Sequence, residues 1–99
     1  GIYMSTNILE YIVNLINETR TNPLIDRGAS PRATIALAEM AKAHAYVHGK
    51  EFVTPDDVLN VFDKVIAHRL ILSPVADIRG VRVDEVVKEV VSRVAKPKV

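Results

Sequence analysis

The sequence predicts an all-α domain, a small four-helix bundle with room for a very short extended pair. Four segments repeat apolar residues at the spacing of an amphipathic helix. Proline and glycine mark the ends of several of these segments, which is typical of helices joined by loops. The chain has 99 residues, of which 48% are hydrophobic, enough to bury one core. Residues 1–99 are therefore predicted to form a single domain.

The first predicted helix runs from Asn7 to about Arg20. Ser5, Thr6 or Asn7 can cap its free amide groups, because each side chain offers an acceptor oxygen. The apolar stripe of this helix comprises Ile8, Ile12, Leu15 and Ile16, widened by Leu9 and Val13.

The stretch "GASPRA", residues 28–33, opens the second predicted helix. Ser30 is the expected N-cap, Pro31 the first helical residue, and Gly49 lies just past the last turn. Arg32 falls in the first turn, at the rim of the apolar arc. A cation at this end of a helix is mildly unfavourable unless an anion lies nearby. The apolar arc is predicted to contain Ala33, Ala36, Leu37, Met40, Ala41, His44 and Val47.

The third predicted helix begins at "TPDD". Thr54 is its expected cap, Pro55 its first residue, and Asp56 and Asp57 place negative charge on the first turn. The apolar residues of this helix are Val58, Val61, Phe62, Val65 and Ile66. The fourth predicted helix spans residues 83–94, because its valines keep helical spacing: Val86, Val87, Val90, Val91 and Val94.

Two connections have no regular pattern. The loop before the second helix contains Pro23, Asp26 and Gly28, and its apolar residues Leu24 and Ile25 are expected to pack against the core. Residues 69–82 join the third and fourth helices. The sequence leaves open whether positions 70–72 extend the third helix or form a short extended piece.

Composition narrows the class of protein. Thirteen Lys and Arg residues and 12 Asp and Glu residues give a net charge of +1, and the basic residues are scattered, so no nucleic-acid footprint is predicted. The chain has no cysteine, which excludes disulfides and fits a reducing compartment. No apolar run is long enough to cross a bilayer. We expect a cytoplasmic protein that contacts neither membrane nor nucleic acid.

Several fragments resemble catalytic motifs without completing them. Gly49 and Lys50 look like the end of a phosphate-binding P-loop, but the required upstream glycine and the following Ser or Thr are missing. His44 and His48 lie one turn apart, yet no third ligand is evident, so no metal site is predicted and His44 is expected to be partly buried with a hydrogen bond. Asp84 and Glu85 are predicted to be ordinary first-turn acids.

A family resemblance gives Arg32 a second interpretation besides an ordinary solvated side chain. The segments "EYIVNLINETR", "GASPRATIALAEMAKAHAYVHGKEFVTPDDV", "AHRLILSP" and "GVRVDEVV" together resemble the C-terminal helical lid of MoxR-type AAA+ ATPases, relatives of the magnesium-chelatase ATPase subunit. The resemblance extends from about Ile8 to Val94. Two departures are Arg82, where a helix-capping threonine is common, and His48, where an arginine or another polar residue is expected.

The resemblance implies that "GASPRA" is the sensor 2 motif of the family. Arg32 would then contact the γ-phosphate region of ATP and act on the transition state, with Gly28, Ser30 and Pro31 completing the nucleotide-binding segment. The chain would be a fragment lacking an upstream ATP-binding α/β domain, with ATP and magnesium bound by the parent protein and no cofactor held by the fragment alone.

The resemblance also implies partners. The lid would work with the upstream AAA+ core of the same protein, in a ring of identical subunits, expected to be a hexamer, that remodels client proteins in a chaperone-like manner. Proteins with von Willebrand A domains are expected partners. Whether Arg32 serves its own subunit or a neighbour stays open. The competing hypothesis is a free-standing helical module that binds a protein or a nucleic acid and has no nucleotide role.

Overall fold

The computed structural model of the chain describes residues 1–98. Five helices and a two-stranded antiparallel pair follow one another, so the predicted all-α class and its short extended pair are confirmed, with one helix more than predicted. The elements are α1 (Thr6–Thr21), β1 (Ile25–Arg27), α2 (Arg32–Val47), α3 (Pro55–Val61) with a π-helical extension (Phe62–Ile66) and a 3-10 turn (Ala67–Arg69), β2 (Ile71–Leu72), α4 (Pro74–Arg79) and α5 (Val83–Ser92).

Helix α1 begins where the sequence predicts. The Ser5 hydroxyl accepts a hydrogen bond from the Ile8 amide at 3.2 Å, which caps the first turn. The buried face comprises Ile8, Tyr11, Ile12, Leu15, Ile16 and Thr19. The predicted widening of the stripe is wrong, because Leu9 and Val13 are exposed and Tyr11 fills the core on the other side.

Helix α2 packs through a narrower stripe than predicted. Its buried residues form one row spaced by four positions: Ala33, Leu37, Ala41 and Ala45. Met40 and Val47, predicted to face the core, are 41% and 77% exposed. Small alanines in a single i, i+4 row let α1 and α3 approach α2 closely, and only this row is fully buried, whereas Ala36 and His44 of the predicted arc are half-buried.

The predicted end of α2 at Gly49 is confirmed. Gly49 has φ of +73°, its amide donates to the Tyr46 carbonyl, and the Lys50 amide donates to the Ala45 carbonyl. This pair of bonds is a Schellman motif, which needs a residue that tolerates positive φ.

The sequence left open whether positions 70–72 are helical or extended, and the structure answers this. Strand β2 pairs with β1, with Ile25 opposite Leu72, so positions 71 and 72 are extended rather than helical. The Ser73 amide also donates to the Leu24 carbonyl, and Ile25 is buried, which confirms that the first loop packs on the core.

Helix α4 was not predicted. The Ser73 hydroxyl caps it by accepting from the Ala76 amide, and Gly80 ends it with φ of +69°. The predicted fourth helix is confirmed as α5, and its N-terminus is secured by Glu85, whose carboxylate accepts from the Arg82 amide at 3.1 Å. This contact is the half of a capping box that the glutamate supplies; the Glu85 amide, from which a threonine hydroxyl at position 82 would accept, donates instead to the Arg82 carbonyl at 3.1 Å.

One core joins these elements. The side chains at its centre, all fully buried, include Ile12, Leu15, Leu37, Phe62, Ile66, Val86 and Val90. None of the helices found within residues 1–98 combines the length and apolar character needed to cross a lipid bilayer.

Candidate functional site

The "GASPRA" segment forms the turn between β1 and α2, and Arg32 is the first residue of α2. The Arg32 side chain is exposed. It forms no ion pair and no side-chain hydrogen bond with any other residue between 1 and 98. A guanidinium therefore extends from a helix N-terminus with its donors available.

The start of this turn is fastened to the last turns of α1. A side chain at Gly28 would place a Cβ only 2.5 Å from the carbonyl carbon of Thr19, so glycine is needed for the two backbones to approach. The Ala29 amide donates to the Thr19 hydroxyl at 3.1 Å. The same hydroxyl donates to the Ile16 carbonyl at 2.6 Å, and both hydrogen bonds are buried.

The prediction that the Ser30 side chain caps α2 is wrong. The Ser30 side chain takes part in no hydrogen bond within the part of the chain that the structure describes, and its backbone carbonyl instead accepts from the Ala33 amide at 2.9 Å. Pro31, with φ of −56° and ψ of −30°, is already helical in conformation, as predicted. The hydroxyl is not needed as a cap, because the turn is closed by backbone bonds.

Among the described residues, no negative charge in the first turn of α2 balances the partial positive charge of the helix N-terminus. Within residues 1–98, no acidic residue lies in the first turn of α2 and no side chain caps it. The partial positive charge of the helix N-terminus therefore adds to the charge of Arg32. Such an arrangement attracts anions, and a guanidinium offers paired donors that match phosphate oxygens.

The opposite end of α2 carries a charged cluster that the sequence did not predict. The Asp57 side chain is 0% exposed and lies on the first turn of α3. Its carboxylate is 2.7 Å from His44 Nδ1 and 3.1 Å from Lys50 Nζ, and it accepts from the Thr54 amide at 2.8 Å. Asp57 was predicted to act only as a first-turn acid, whereas it also ties α2 to α3.

The protonation states of this cluster follow from its contacts. Burial alone would raise the pKa of Asp57, but hydrogen bonds from the Thr54 backbone, His44 and Lys50 outweigh it and lower the pKa to about 2. Asp57 is therefore ionised at neutral pH, so His44 Nδ1 donates to it. The prediction that His44 is partly buried with a hydrogen bond is confirmed.

His48 completes the cluster without creating a metal site. His48 Nδ1 donates to the His44 carbonyl at 2.8 Å, and the two rings stack with centroids 4.1 Å apart. No group of three or more potential metal-binding side chains comes together within residues 1–98.

Comparison with known proteins places this fold in a family. The AAA lid domain family matches residues 17–96. The chain belongs to that family. As an AAA lid domain, it is similar to YeaC of Bacillus subtilis (37% identity over 91 residues, 92% of this chain and 28% of YeaC). It is also similar to the chaperone MoxR1 of Mycobacterium tuberculosis (31% identity over 101 residues, 93% of this chain and 27% of MoxR1).

A solved structure supports the same assignment. The AAA lid domain superposes on a "putative ATPase" of Cytophaga hutchinsonii with a TM-score of 0.86 and 27% identity, over 98% of this chain and 32% of that protein. The resemblance to MoxR proteins is thereby confirmed, and the protein MoxR of Methylorubrum extorquens matches over 75% of this chain at 35% identity. The lid domain spans only 22 to 32% of the length of these relatives.

The predicted site residues of this lid domain fall into two groups. Gly28 and Pro31 shape the backbone, and Arg32 presents the one charged side chain of the segment. The Ser30 hydroxyl neither shapes the backbone nor presents a charge. Sequence reasoning missed Thr19, which lies ten residues from its partner Ala29, because no local pattern links a threonine near the end of a helix to a distant amide.

Proposed function

We propose that this chain is the lid of a MoxR-type AAA+ ATPase and that Arg32 is its sensor 2 arginine, contacting the γ-phosphate region of ATP. The observation that supports this most directly is an exposed guanidinium, unpaired within residues 1–98, at the uncompensated N-terminus of α2 in a domain of the AAA lid family. A side chain that only solubilised the surface would not need a backbone turn fastened as tightly as this one.

In this proposal Arg32 acts by electrostatics. ATP, when bound, supplies the phosphoryl group that is transferred to water. The Arg32 guanidinium donates charge-assisted hydrogen bonds to phosphate oxygens and stabilises the negative charge that develops in the transition state. The N-terminus of α2 contributes in the same direction because its partial charge is also positive.

The rest of the active site belongs, in our proposal, to a core domain upstream in the same protein. The P-loop, the residues that hold magnesium and the residue that positions the attacking water would lie there, and Gly28, Ser30 and Pro31 would border the nucleotide from the lid side. We further propose that the parent forms a cytoplasmic ring, a hexamer, that remodels client proteins together with von Willebrand A domain partners. The name chaperone MoxR1 of one relative agrees with this role.

The decisive experiment removes the guanidinium in the full-length ATPase. Arg32→Ala should lower the turnover of ATP by about 10², comparable to the loss of other charge-stabilising groups. Arg32→Lys should recover only part of this loss, because an ammonium lacks the planar pair of donors. The matched control is Arg79→Ala, which removes an exposed arginine at the end of α4 and should leave turnover unchanged. Normal turnover of Arg32→Ala would refute the sensor role.

A mixing experiment decides which subunit receives the arginine. Subunits with Arg32→Ala are combined with subunits whose P-loop lysine is replaced, and each variant alone has little activity. If Arg32 acts on the neighbouring subunit, the mixed ring regains activity, because the intact P-loop of one subunit meets the intact arginine of the other. If Arg32 acts within its own subunit, the mixture stays inactive.

A further inference from the structure

We infer that Thr19 is a positioning residue for Arg32: its buried hydroxyl fixes the turn from which the sensor 2 arginine reaches the nucleotide. This inference rests on the proposed function, because it assigns to Thr19 an effect that passes through Arg32. The role is distinct from that of Arg32 itself, since Thr19 lies inside the domain with 0% exposure and does not touch a ligand.

The Thr19 hydroxyl bridges two elements. It donates to the Ile16 carbonyl at 2.6 Å, one turn earlier in α1, and accepts from the Ala29 amide at 3.1 Å. The first bond fixes the orientation of the hydroxyl, so that its lone pair faces Ala29. The second bond attaches the "GASPRA" turn to α1, because it joins the Ala29 amide to a side chain ten residues earlier in the chain.

Water cannot take over this contact without disrupting the packing. The Ala29 side chain is 4% exposed, and Gly28 lies directly against the backbone of Thr19 and Arg20. The Ala29 amide therefore depends on the Thr19 hydroxyl for its hydrogen bond. A valine at position 19 keeps the shape of threonine but offers no acceptor, so the buried amide would be left unpaired and the turn would shift to find a partner.

Few degrees of freedom separate Ala29 from Arg32. The Ser30 carbonyl is bonded to the Ala33 amide, and Pro31 holds its own φ through its ring. The Pro31 carbonyl accepts from the Thr34 amide at 3.2 Å. A displacement at Ala29 is therefore passed on to the backbone of Arg32 rather than absorbed on the way.

The consequence concerns the rate of the chemical step more than the binding of ATP. A charged group that stabilises the transition state must be placed to within a fraction of an ångström, and a misplacement of about 1 Å can cost up to about 10²-fold in rate. Thr19→Val should therefore lower kcat by about tenfold in the full-length ATPase, with a much smaller change in KM. Thr19→Ser keeps the hydroxyl and should restore kcat.

The test is a double-mutant cycle in the full-length ATPase. If Thr19 acts through Arg32, Thr19→Val combined with Arg32→Ala is no slower than Arg32→Ala alone. A control for general loss of stability is Val90→Ala, which removes buried methyl groups from α5. When compared with Thr19→Val below the melting temperatures of both, it should retain wild-type kcat.

The outcomes separate the two proposals. If Arg32→Ala turns over normally, the sensor role itself fails. If Arg32→Ala is slow but Thr19→Val is normal, or if the two losses multiply, the sensor role stands and the positioning role of Thr19 is refuted. The positioning role is also refuted if Thr19→Ser fails to rescue kcat, or if Val90→Ala slows turnover as much as Thr19→Val.

Discussion

The two ends of α2 differ in whether their positively charged side chains have a partner within the domain. At the C-terminal end, the Lys50 ammonium group and the His44 ring both contact the carboxylate of Asp57, a fully buried residue of α3. At the N-terminal end, Arg32 is exposed and makes no ion pair with any residue in the described range, 1–98. The first end is electrostatically satisfied within the domain, whereas the second is not.

This difference indicates what each set of charges does. A buried, hydrogen-bonded carboxylate contributes to folding, because removal of its charge leaves its donors without an acceptor. An exposed arginine contributes little to folding and is free to bind an external anion. We therefore expect the C-terminal end to control stability and the N-terminal end to control turnover, and the following variants test that division.

The largest effect on stability is expected at Asp57. Asp57→Asn should lower the free energy of unfolding by about 3 kcal/mol, since it leaves Lys50 without its counter-charge and weakens the contacts to His44 and Thr54. Urea denaturation of the domain measures this. The neighbouring Asp56, whose side chain is 86% exposed, is the matched control, and Asp56→Asn should change stability by less than about 0.5 kcal/mol. Equal effects of the two variants would contradict a stabilising role for the buried cluster.

Acid should weaken the same end of α2. The pKa of Asp57 is lowered from 3.8 to about 2, so the folded state binds fewer protons than the unfolded state between these values. Its contribution, about 2 kcal/mol, is complete above pH 4 and is lost as the pH falls through 2. The difference in unfolding free energy between wild type and Asp57→Asn, followed from pH 5 to pH 2, should shrink accordingly. A difference that does not depend on pH would show that Asp57 is not ionised in the folded protein.

Substitution of the two glycines that flank α2 should destabilise the domain for different physical reasons. Gly28→Ala places a Cβ against the Thr19 backbone and should cost about 1.5 kcal/mol by overpacking. Gly49→Ala meets no atom within 4 Å but is strained by a φ of +73°, which should cost about 1 kcal/mol. Asparagine tolerates positive φ, so Gly49→Asn should recover stability and Gly28→Asn should not. Recovery by asparagine at both positions would disprove the steric role of Gly28.

Local signals predicted most of the fold, and contacts distant in sequence account for what they missed. Thr54–Pro55 at the start of α3 and Gly49 after α2 behave as the sequence suggests. The same Ser-Pro and glycine signals surround α4, at Ser73 and Gly80, but the helix is only six residues long and too short to show an apolar period. From the sequence, Asp57 is predicted only to be an acid in a first helical turn. Its partner His44 lies 13 residues away, so no local pattern indicates their contact.

The candidate site shows the same limit. Arg32 could be proposed from the family resemblance, Pro31 as the first helical residue from its fixed φ, and Gly28 as a break in regular structure from its residue type. The anchoring by Thr19 could not, since it depends on how α1 and the turn meet in space. The failed cap at Ser30 has a similar origin: the path of the turn decides whether a side chain or a backbone carbonyl closes the first helical turn.

The smallest expected losses of stability should distinguish Ser5 and Ser73, which cap helices, from Ser30, which does not. Ser5 accepts from the Ile8 amide and Ser73 from the Ala76 amide, so Ser5→Ala and Ser73→Ala should each lower the unfolding free energy by about 1 kcal/mol. Ser30→Ala removes an exposed hydroxyl that bonds to no residue in the described part of the chain, and should change stability by less than about 0.5 kcal/mol. A loss at Ser30 as large as that at Ser5 would mean that α2 depends on a side-chain cap after all, and that its N-terminal charge is partly compensated before any anion arrives.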